Sequence, residues 1–491
     1  MATTALFHID VDHLIAPGAS ASGPARLTIA DGEIAAVNPI SAPLNGFVAL
    51  PAFANAHDHG RGLRTLAFGA VDDALESWLP SLAREPRLPA FERAALAFAR
   101  MAETGIAATM HVHGFQAANA QEALAEAAEV ARAAEAVGIH VAFAPPFRNR
   151  NPHSYGNEAA FLEASDPGLR AALASPPSVW RPTIEDYLGF VDRVAEFAGP
   201  CFSVQYCPAG YQWVTDEAIA AIASASARTG RRIHMHLLET RYQREWADFA
   251  YPHGALARLD ELEFLSPRLS VAHGIYLKPD EQALLADRGV IVSVNTSSNF
   301  RLRSGIAPVG EFLDQGLTFG LGLDSLPMDD DDDMLREMRL VYLNHRGFGL
   351  DDRLTPTRLL RAATRDGRAA IFGPGDGDKA FHPGAPADIV VLDLGAISGD
   401  VLDPSVDPLT IMLTRATRRQ VRTLIVGGTL VVDNGSLATL ERRDLEVRLN
   451  AAARAAWAAT PPDDERTRLM RRAVRTFYGC GCHAGGFIAD A

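Results

Sequence analysis

Eight short apolar runs alternate with Ala-rich stretches between residues 47 and 323, and this alternation constrains the fold more than any other feature. The runs are FVALPAF (47–53), IAATMHV (106–112), IHVAFAP (139–145), CFSVQYC (201–207), RIHMHLL (232–238), LSVAH (269–273), VIVSVN (290–295) and LTFGLGL (317–323). Each is short and rich in β-branched or aromatic residues, as a strand buried on both faces must be. Between them, AFERAALAFARMAETG, QEALAEAAEVARAAEAVG, IEDYLGFVDRVAEFAG and TDEAIAAIASASARTG carry helical spacing and end on Gly, a common helix stop. Strands that alternate with helices form parallel sheets. Eight such units predict an α/β fold, a (β/α)8 TIM-type barrel over residues 50–384.

The flanks have a different texture. ALFHIDV, ARLTIADG and EIAAV near the start, and ADIVVLDL (387–394) and VRTLIVGGTLVVDNG (421–435) near the end, combine strand residues with Gly and Asp-Gly turn signals. They predict a small β-sandwich-like domain built from both chain ends, residues 1–49 and 385–440, entered through the Gly/Pro-rich stretch 371–388. Residues 441–491 predict a charged helical tail that turns irregular at YGCGCHAGG. The acidic run DDDDD (329–333) precedes the helical pattern MLREMRLVYL, where carboxylates suit a helix N-terminus, so its expected role is structural.

Charge narrows the partners. The formal net charge of -14 argues against nucleic acid or an anionic membrane surface as a partner; the partner expected is a small-molecule substrate, which the charge does not identify. No apolar run reaches the ~18 residues of a membrane span. Four cysteines make no disulfide framework for 491 residues, and MATTALFHID shows neither a basic nor an apolar signal region. A reducing, cytoplasmic location is expected.

In a (β/α)8 barrel, functional residues stand at the C-terminal ends of the strands. His57 and His59 follow the first run, His111 and His113 close the second, and His236 lies on the fifth with Glu239 three residues on. His273 ends the sixth and Asp324 the eighth; six of the chain's 15 histidines therefore fall at strand ends. Residues i and i+2 of an extended segment point the same way, so His57 and His59 converge while Asp58 points away. His236 adds an imidazole from across the barrel, and Asp324 adds a hard oxygen able to take a proton from bound water. A lone His-x-His reads equally as a surface pair at a turn; the joint placement argues for a metal. Three imidazoles and a carboxylate suit one divalent ion, zinc first, with iron, cobalt or manganese as alternatives.

Residues near the strand ends that could meet a substrate are His111, His113, Arg148, Gln205, Trp213 and Asn299, with Arg61, Phe147, His153 and Tyr206 nearby. The fork of Arg148 suits a carboxylate or ring carbonyl, and Phe147 and Trp213 suit a flat ring. Cys480-Gly481-Cys482-His483 offers too few ligands for a second metal site and reads as ordinary tail.

Taken together, LPAFANAHDHG, HMHLLET, VAHG, SSNFRLRSGIAPV, LGLDS and ATRDGRAAIFG…HPGAPADIVVLDL resemble the amidohydrolase superfamily, in its cytosine-deaminase-like and triazine-hydrolase-like branch, over about residues 45–395. The resemblance implies that His57, His59, His236 and Asp324 are metal ligands and that Glu239 is a proton shuttle. It implies that His273 hydrogen-bonds the attacking hydroxide, the substrate carbonyl or the leaving group. It also implies that ALESWLP (74–80) covers the site, with Trp78 packing there, and that the protein forms a homodimer. This chain departs from the pattern at Pro51-Ala52, where Pro-Gly is usual, and in CPAGYQWVTDE (207–217), which bears on specificity. Branches with two metals bridge them through a carbamylated lysine at the end of strand 4. The only lysines here are Lys278 and Lys379, so a mononuclear site is expected.

The expected activity is metal-dependent hydrolysis of a C–N bond, first of all deamination of an amino-substituted nitrogen heterocycle. Hydrolysis of an amide, urea or carbamate, or triazine-type dechlorination, would use the same residues.

Overall fold

The computed structural model describes residues 6–17, 22–41, 46–173, 179–375 and 380–485. Lys379 and the ends of the first and last segments quoted above, Ala5 and Gly486, lie outside them. The barrel strands are β1 (Phe53–Asp58), β2 (Ile106–Val112), β3 (His140–Ala144), β4 (Phe202–Val204), β5 (Ile233–Leu237), β6 (Leu269–His273), β7 (Ile291–Val294) and β8 (Phe319–Leu321). They form two parallel four-stranded sheets, in the orders β4-β3-β2-β1 and β5-β6-β7-β8. Parallel bridges Tyr206–Ile233 and Gly210–His236 join the sheets on the β4–β5 side. On the other side the Asp324 N–H donates to the His57 carbonyl and the Leu323 N–H to Asn55 Oδ1, both at 2.9 Å.

All residues of β1 and β2 are buried, which is why these strands read as continuous apolar runs rather than alternating ones. The Ala-rich helices Ala90–Glu103 and Ala120–Val137 turn their small residues onto the strands. Asn119 caps the second by accepting from Glu122 N, and Gly138, at φ +88°, ends it as the sequence predicts. Helix Arg365–Phe372 closes the N-terminal end of the barrel, where Ala369 and Ala370 pack with Ala56 and Ile291. It approaches β8 so closely that a Cβ on Gly320 would lie 2.7 Å from Gly367 Cα. The opposite end stays free for a site.

The first run divides in a way the sequence reading does not anticipate. Phe47–Pro51 pairs antiparallel with Ile389–Asp393 outside the barrel, and the first barrel strand is Phe53–Asp58. The crossover falls at Pro51-Ala52: Ala52 N donates to Asp388 O, and Phe53 N already donates to Gly105 O. Apolarity alone does not show which sheet a buried strand joins.

The two chain ends meet. An antiparallel three-stranded sheet (7–11, 25–30, 33–39) faces a six-stranded sheet ordered 436–437, 429–433, 421–426, 389–393, 47–51, 13–14. Val11, Leu27, Ile29, Ile34, Ile389, Val391 and Ile425 pack in one buried cluster shared by the two sheets. Beyond them, helices Arg442–Ala459 and Asp464–Gly479 form the tail. Cys480 and Cys482 are disulfide-linked, while Cys201 and Cys207 are free. A bridge between residues two apart closes too small a loop to staple the fold. In the acidic run, Asp333 caps helix Met334–His345 by accepting from Leu335 N and Arg336 N, and Asp332 pairs with Arg64. Among the described residues, no helix is long and apolar enough to cross a membrane.

Candidate metal centre and active site

The imidazoles converge at the C-terminal ends of the strands. Asp324 Oδ1 lies 3.1 Å from His57 Nε2 and 3.2 Å from His59 Nε2. His57, His59 and His236 bring one ring nitrogen each within 4.8 Å of one another, and so, with their own ligand atoms, do His57, His273 and Asp324. Asp58, between the two histidines, points away and ties β1 to β8. It accepts from Asn55 Nδ2 at 2.8 Å, Gly60 N at 2.7 Å and Ser325 N at 3.0 Å. Gly60 is required here, since at φ +58° an added Cβ would lie 2.3 Å from the His111 ring.

Each imidazole is held through Nδ1, leaving Nε2 for the centre. His57 Nδ1 contacts His234 Nε2 at 2.8 Å, His59 Nδ1 contacts Val112 O at 3.1 Å, and His236 Nδ1 contacts Ala209 O at 2.7 Å. This is how metal-ligating histidines are oriented. His57 Nε2 is buried without a hydrogen-bond partner, an unsatisfied atom that a cation would satisfy. Burial pushes the His57 imidazole down to about 4 and His236 well below its usual value, so both are neutral and able to ligate. Burial pushes the Asp324 carboxyl up, but the adjacent His57 and His59 outweigh it and hold Asp324 well below the carboxylate range. The residues fit a divalent cation.

His234, which the sequence reading passed over, is a candidate positioning residue. It is fully buried and links His57 Nδ1 to Ser270 Oγ, 2.8 Å from His234 Nδ1. The His-Met-His spacing, the same i, i+2 signal as His57 and His59, was the available clue. His234→Leu removes the partner that orients His57. Chelator competition is expected to show metal affinity lower by about 10–100-fold, and unchanged affinity would exclude the role.

Glu239 and His273 stand beside this cluster. Glu239 Oε2 lies 3.7 Å from His273 Nε2. Burial, reinforced by Asp324, raises the Glu239 carboxyl well above its usual range. One short segment after β7 braces three of the groups. Ser298 Oγ donates to Asp324 Oδ2 at 2.5 Å, Asn299 Oδ1 contacts His273 Nδ1 at 3.0 Å, and Ser304 Oγ donates to Glu239 Oε1 at 3.0 Å. Ser298 and Ser304 were not singled out from the sequence, because a hydroxyl has no spacing signature. Backbone strain collects here as well, with Leu238, His273 and Asp324 at φ +49°, +75° and +53°. Such conformations persist in non-glycine residues only where the surroundings hold them, as at functional sites.

A cavity of about 210 Å³ opens onto these residues. His59, His236, Glu239, His273 and Asp324 line it, together with Arg61, Trp78, His113, Arg148 and Trp213. Trp78 therefore faces the cavity as well as packing. The Arg148 guanidinium stacks 3.8 Å from the Trp213 ring centroid.

Of the other sequence candidates, His111, Gln205 and Asn299 do not line this cavity. His111 is buried against His113 at 3.0 Å. Gln205 points inward and donates to Ile371 O at 2.5 Å. Asn299 contacts His273 Nδ1 through Oδ1 at 3.0 Å. Phe147 is likewise buried, against Tyr187 at 4.8 Å. His153 pairs with Glu158, and Tyr206 with Thr229 and Arg231. A one-residue change in where a strand ends decides which side a residue faces.

The chain resembles known proteins in sequence and in fold. A 5-methylthioadenosine/S-adenosylhomocysteine deaminase of Nitratidesulfovibrio vulgaris is 34% identical over 204 residues, 41% of this chain and 45% of that protein. A protein of the same description from Desulfovibrio desulfuricans is 28% identical over 399 residues, 80% of this chain and 81% of the relative. Against the first of these, the matched stretch spans about half of the relative's length. A zinc-bound adenosine deaminase structure from Xanthomonas campestris superposes with TM-score 0.76 at 22% identity, covering 92% of this chain and 98% of that one. That likeness is one of fold, and it agrees with a TIM barrel. The family model described as the Amidohydrolase family matches residues 48–431, and on that match the chain belongs to the amidohydrolase family.

Proposed function

We propose that the protein is a metal-dependent hydrolase of C–N bonds that deaminates an amino-substituted nitrogen heterocycle. The observation that carries this reading is the convergence on Asp324 Oδ1 of two imidazole Nε2 atoms whose Nδ1 atoms are otherwise engaged, with Glu239 and His273 on the same cavity. The deaminase relatives support it. In this reading His57, His59, His236 and Asp324 hold one divalent ion, zinc by the donor set. When bound, such an ion lowers the pKa of water from ~15.7 toward ~7, supplying hydroxide at neutral pH.

The chain's own residues do the rest. Asp324, kept ionised by its neighbours, accepts the proton of the attacking water. Glu239, whose raised carboxyl favours the protonated form, delivers a proton to the ring nitrogen or the leaving amine. His273 faces the same space through Nε2 and stabilises charge as it develops. Trp213 and Arg148 offer a flat, cationic wall to a planar ring. The same reading takes residues 50–384 as the catalytic domain, with the two-sheet lobe (1–49 and 385–440) as a β-sandwich-like domain and 441–491 as the tail. It also places the enzyme in the cytoplasm.

The test is ammonia release from aminopurines, aminopyrimidines, pterins and triazines, using protein of quantified metal content. Ammonia from one ring class, with about one ion per chain, is expected. Metal bound but no ammonia from any ring would overturn deamination and move the search to amines released from amides, ureas and carbamates.

A further inference from the structure

Beside the active-site cavity lies a second chamber of about 280 Å³. Leu79, Leu82, Arg148 and Trp213 line both spaces. Part of the chamber's wall comes from the tail: Met470, Val474 and Tyr478 project from helix Asp464–Gly479. That helix is fixed to the segment roofing the active site. Arg471 Nη2 and Arg475 Nη2 each donate to Asp73 Oδ2 at 2.6 Å, and Arg475 Nε donates to Ser77 Oγ at 3.1 Å. Asp73 and Ser77 bracket Leu75, and Leu75 and Trp78 line the catalytic cavity.

Several of the chamber's polar side chains are engaged with neighbouring residues. Glu76 Oε1 accepts from Tyr155 Oη at 3.1 Å and from Thr240 Oγ1 at 2.5 Å. Tyr478 Oη accepts from Tyr155 N at 3.0 Å, while His153 and Ser154 both pair with Glu158. Much of what remains to meet a ligand is aliphatic and ring surface from Leu79, Leu82, Trp213, Met470 and Val474, with Arg148 in the wall shared with the catalytic cavity. A cavity of ~150 Å³ has room for a benzene ring, and this one is larger.

We infer that this chamber is a subsite of the same active site that takes an uncharged, apolar or aryl substituent carried by the reacting heterocycle, so that the C-terminal helix takes part in substrate choice. The inference rests on the deaminase reading above.

The test is calorimetric binding of adenine and 9-benzyladenine to the metal-loaded full chain, every protein compared carrying Glu239→Gln so that the ring is held and not converted, and wild type here denoting Met470 unchanged. Wild-type protein is expected to bind 9-benzyladenine at least ~10-fold more tightly, the scale of apolar discrimination in such pockets. Met470→Trp, which fills the chamber, should lose at least ten times more affinity for 9-benzyladenine than for adenine. Met470→Ala, which adds no bulk, should gain affinity for 9-(1-naphthylmethyl)adenine relative to wild type. The inference is overturned by no benzyl preference in wild type, by equal losses for both probes in Met470→Trp, or by no gain in Met470→Ala. Failure of the underlying reading looks different: no ring in the ammonia panel is then turned over, with or without a substituent. Ammonia release without a benzyl preference overturns the chamber alone.

Discussion

Asp324→Asn is expected to abolish turnover, lowering kcat/KM by about 10⁴-fold or more, and to reduce bound metal. The magnitude follows from two roles lost together: a proton acceptor, worth ~10²–10⁴ alone, and an anionic ligand. Asn is the informative replacement. Asp324 sits at φ +53°, and Asn tolerates the left-handed region better than most residues. The Asp324 N–H to His57 O hydrogen bond, which helps close β8 onto β1, belongs to the backbone and survives. An amide oxygen can still accept from Ser298 Oγ, which now donates to Oδ2 at 2.5 Å. What disappears is the charge that faces His57 and His59 at 3.1 and 3.2 Å. The variant should therefore melt near the wild-type temperature, bind less than one ion per chain by elemental analysis, and release no ammonia. More than about a tenth of wild-type turnover would remove Asp324 from the centre of the mechanism.

The candidate metal centre was legible in the sequence because the side chains proposed to hold the ion obey two local rules. They sit at strand ends, and two of them are spaced i, i+2 on an extended segment. The barrel was legible for a similar reason, since strands buried on both faces advertise themselves by continuous apolarity. What was hidden depends on contacts between distant segments. FVALPAF splits between two sheets because Phe47–Pro51 finds its partner more than 300 residues away, at Ile389–Asp393. His234 was hidden because its importance lies in touching His57, 177 residues off in sequence. Gln205, Asn299 and Phe147 were misplaced because residue type and rough position do not fix which way a side chain turns at a strand end. The bracing hydroxyls of Ser298 and Ser304 become meaningful only once Asp324 and Glu239 are seen beside them.

Glu239→Gln should do the opposite of Asp324→Asn on one count and the same on another: metal stays, turnover goes. Glu239 is 3% exposed. Ser304 Oγ donates to its Oε1 at 3.0 Å, and its N–H donates to Gln243 Oε1 at 2.9 Å. A glutamine amide oxygen can accept the Ser304 bond, the rest of the amide fills the space of Oε2 beside His273, and the backbone bond does not change. The carboxyl is already pushed toward its neutral form by burial and by Asp324, so a neutral amide costs the fold little. It cannot carry a proton from one atom to another. The expected result is a fall in kcat of about 10²–10⁴-fold, the usual worth of a positioned acid–base group, with metal content and substrate Kd near wild type. Such a variant would hold its substrate without converting it, and crystals soaked with the active ring would show which substituent reaches toward Met470. Wild-type kcat with a full complement of metal would take Glu239 out of the proton path and leave Asp324 and His273 to move both protons.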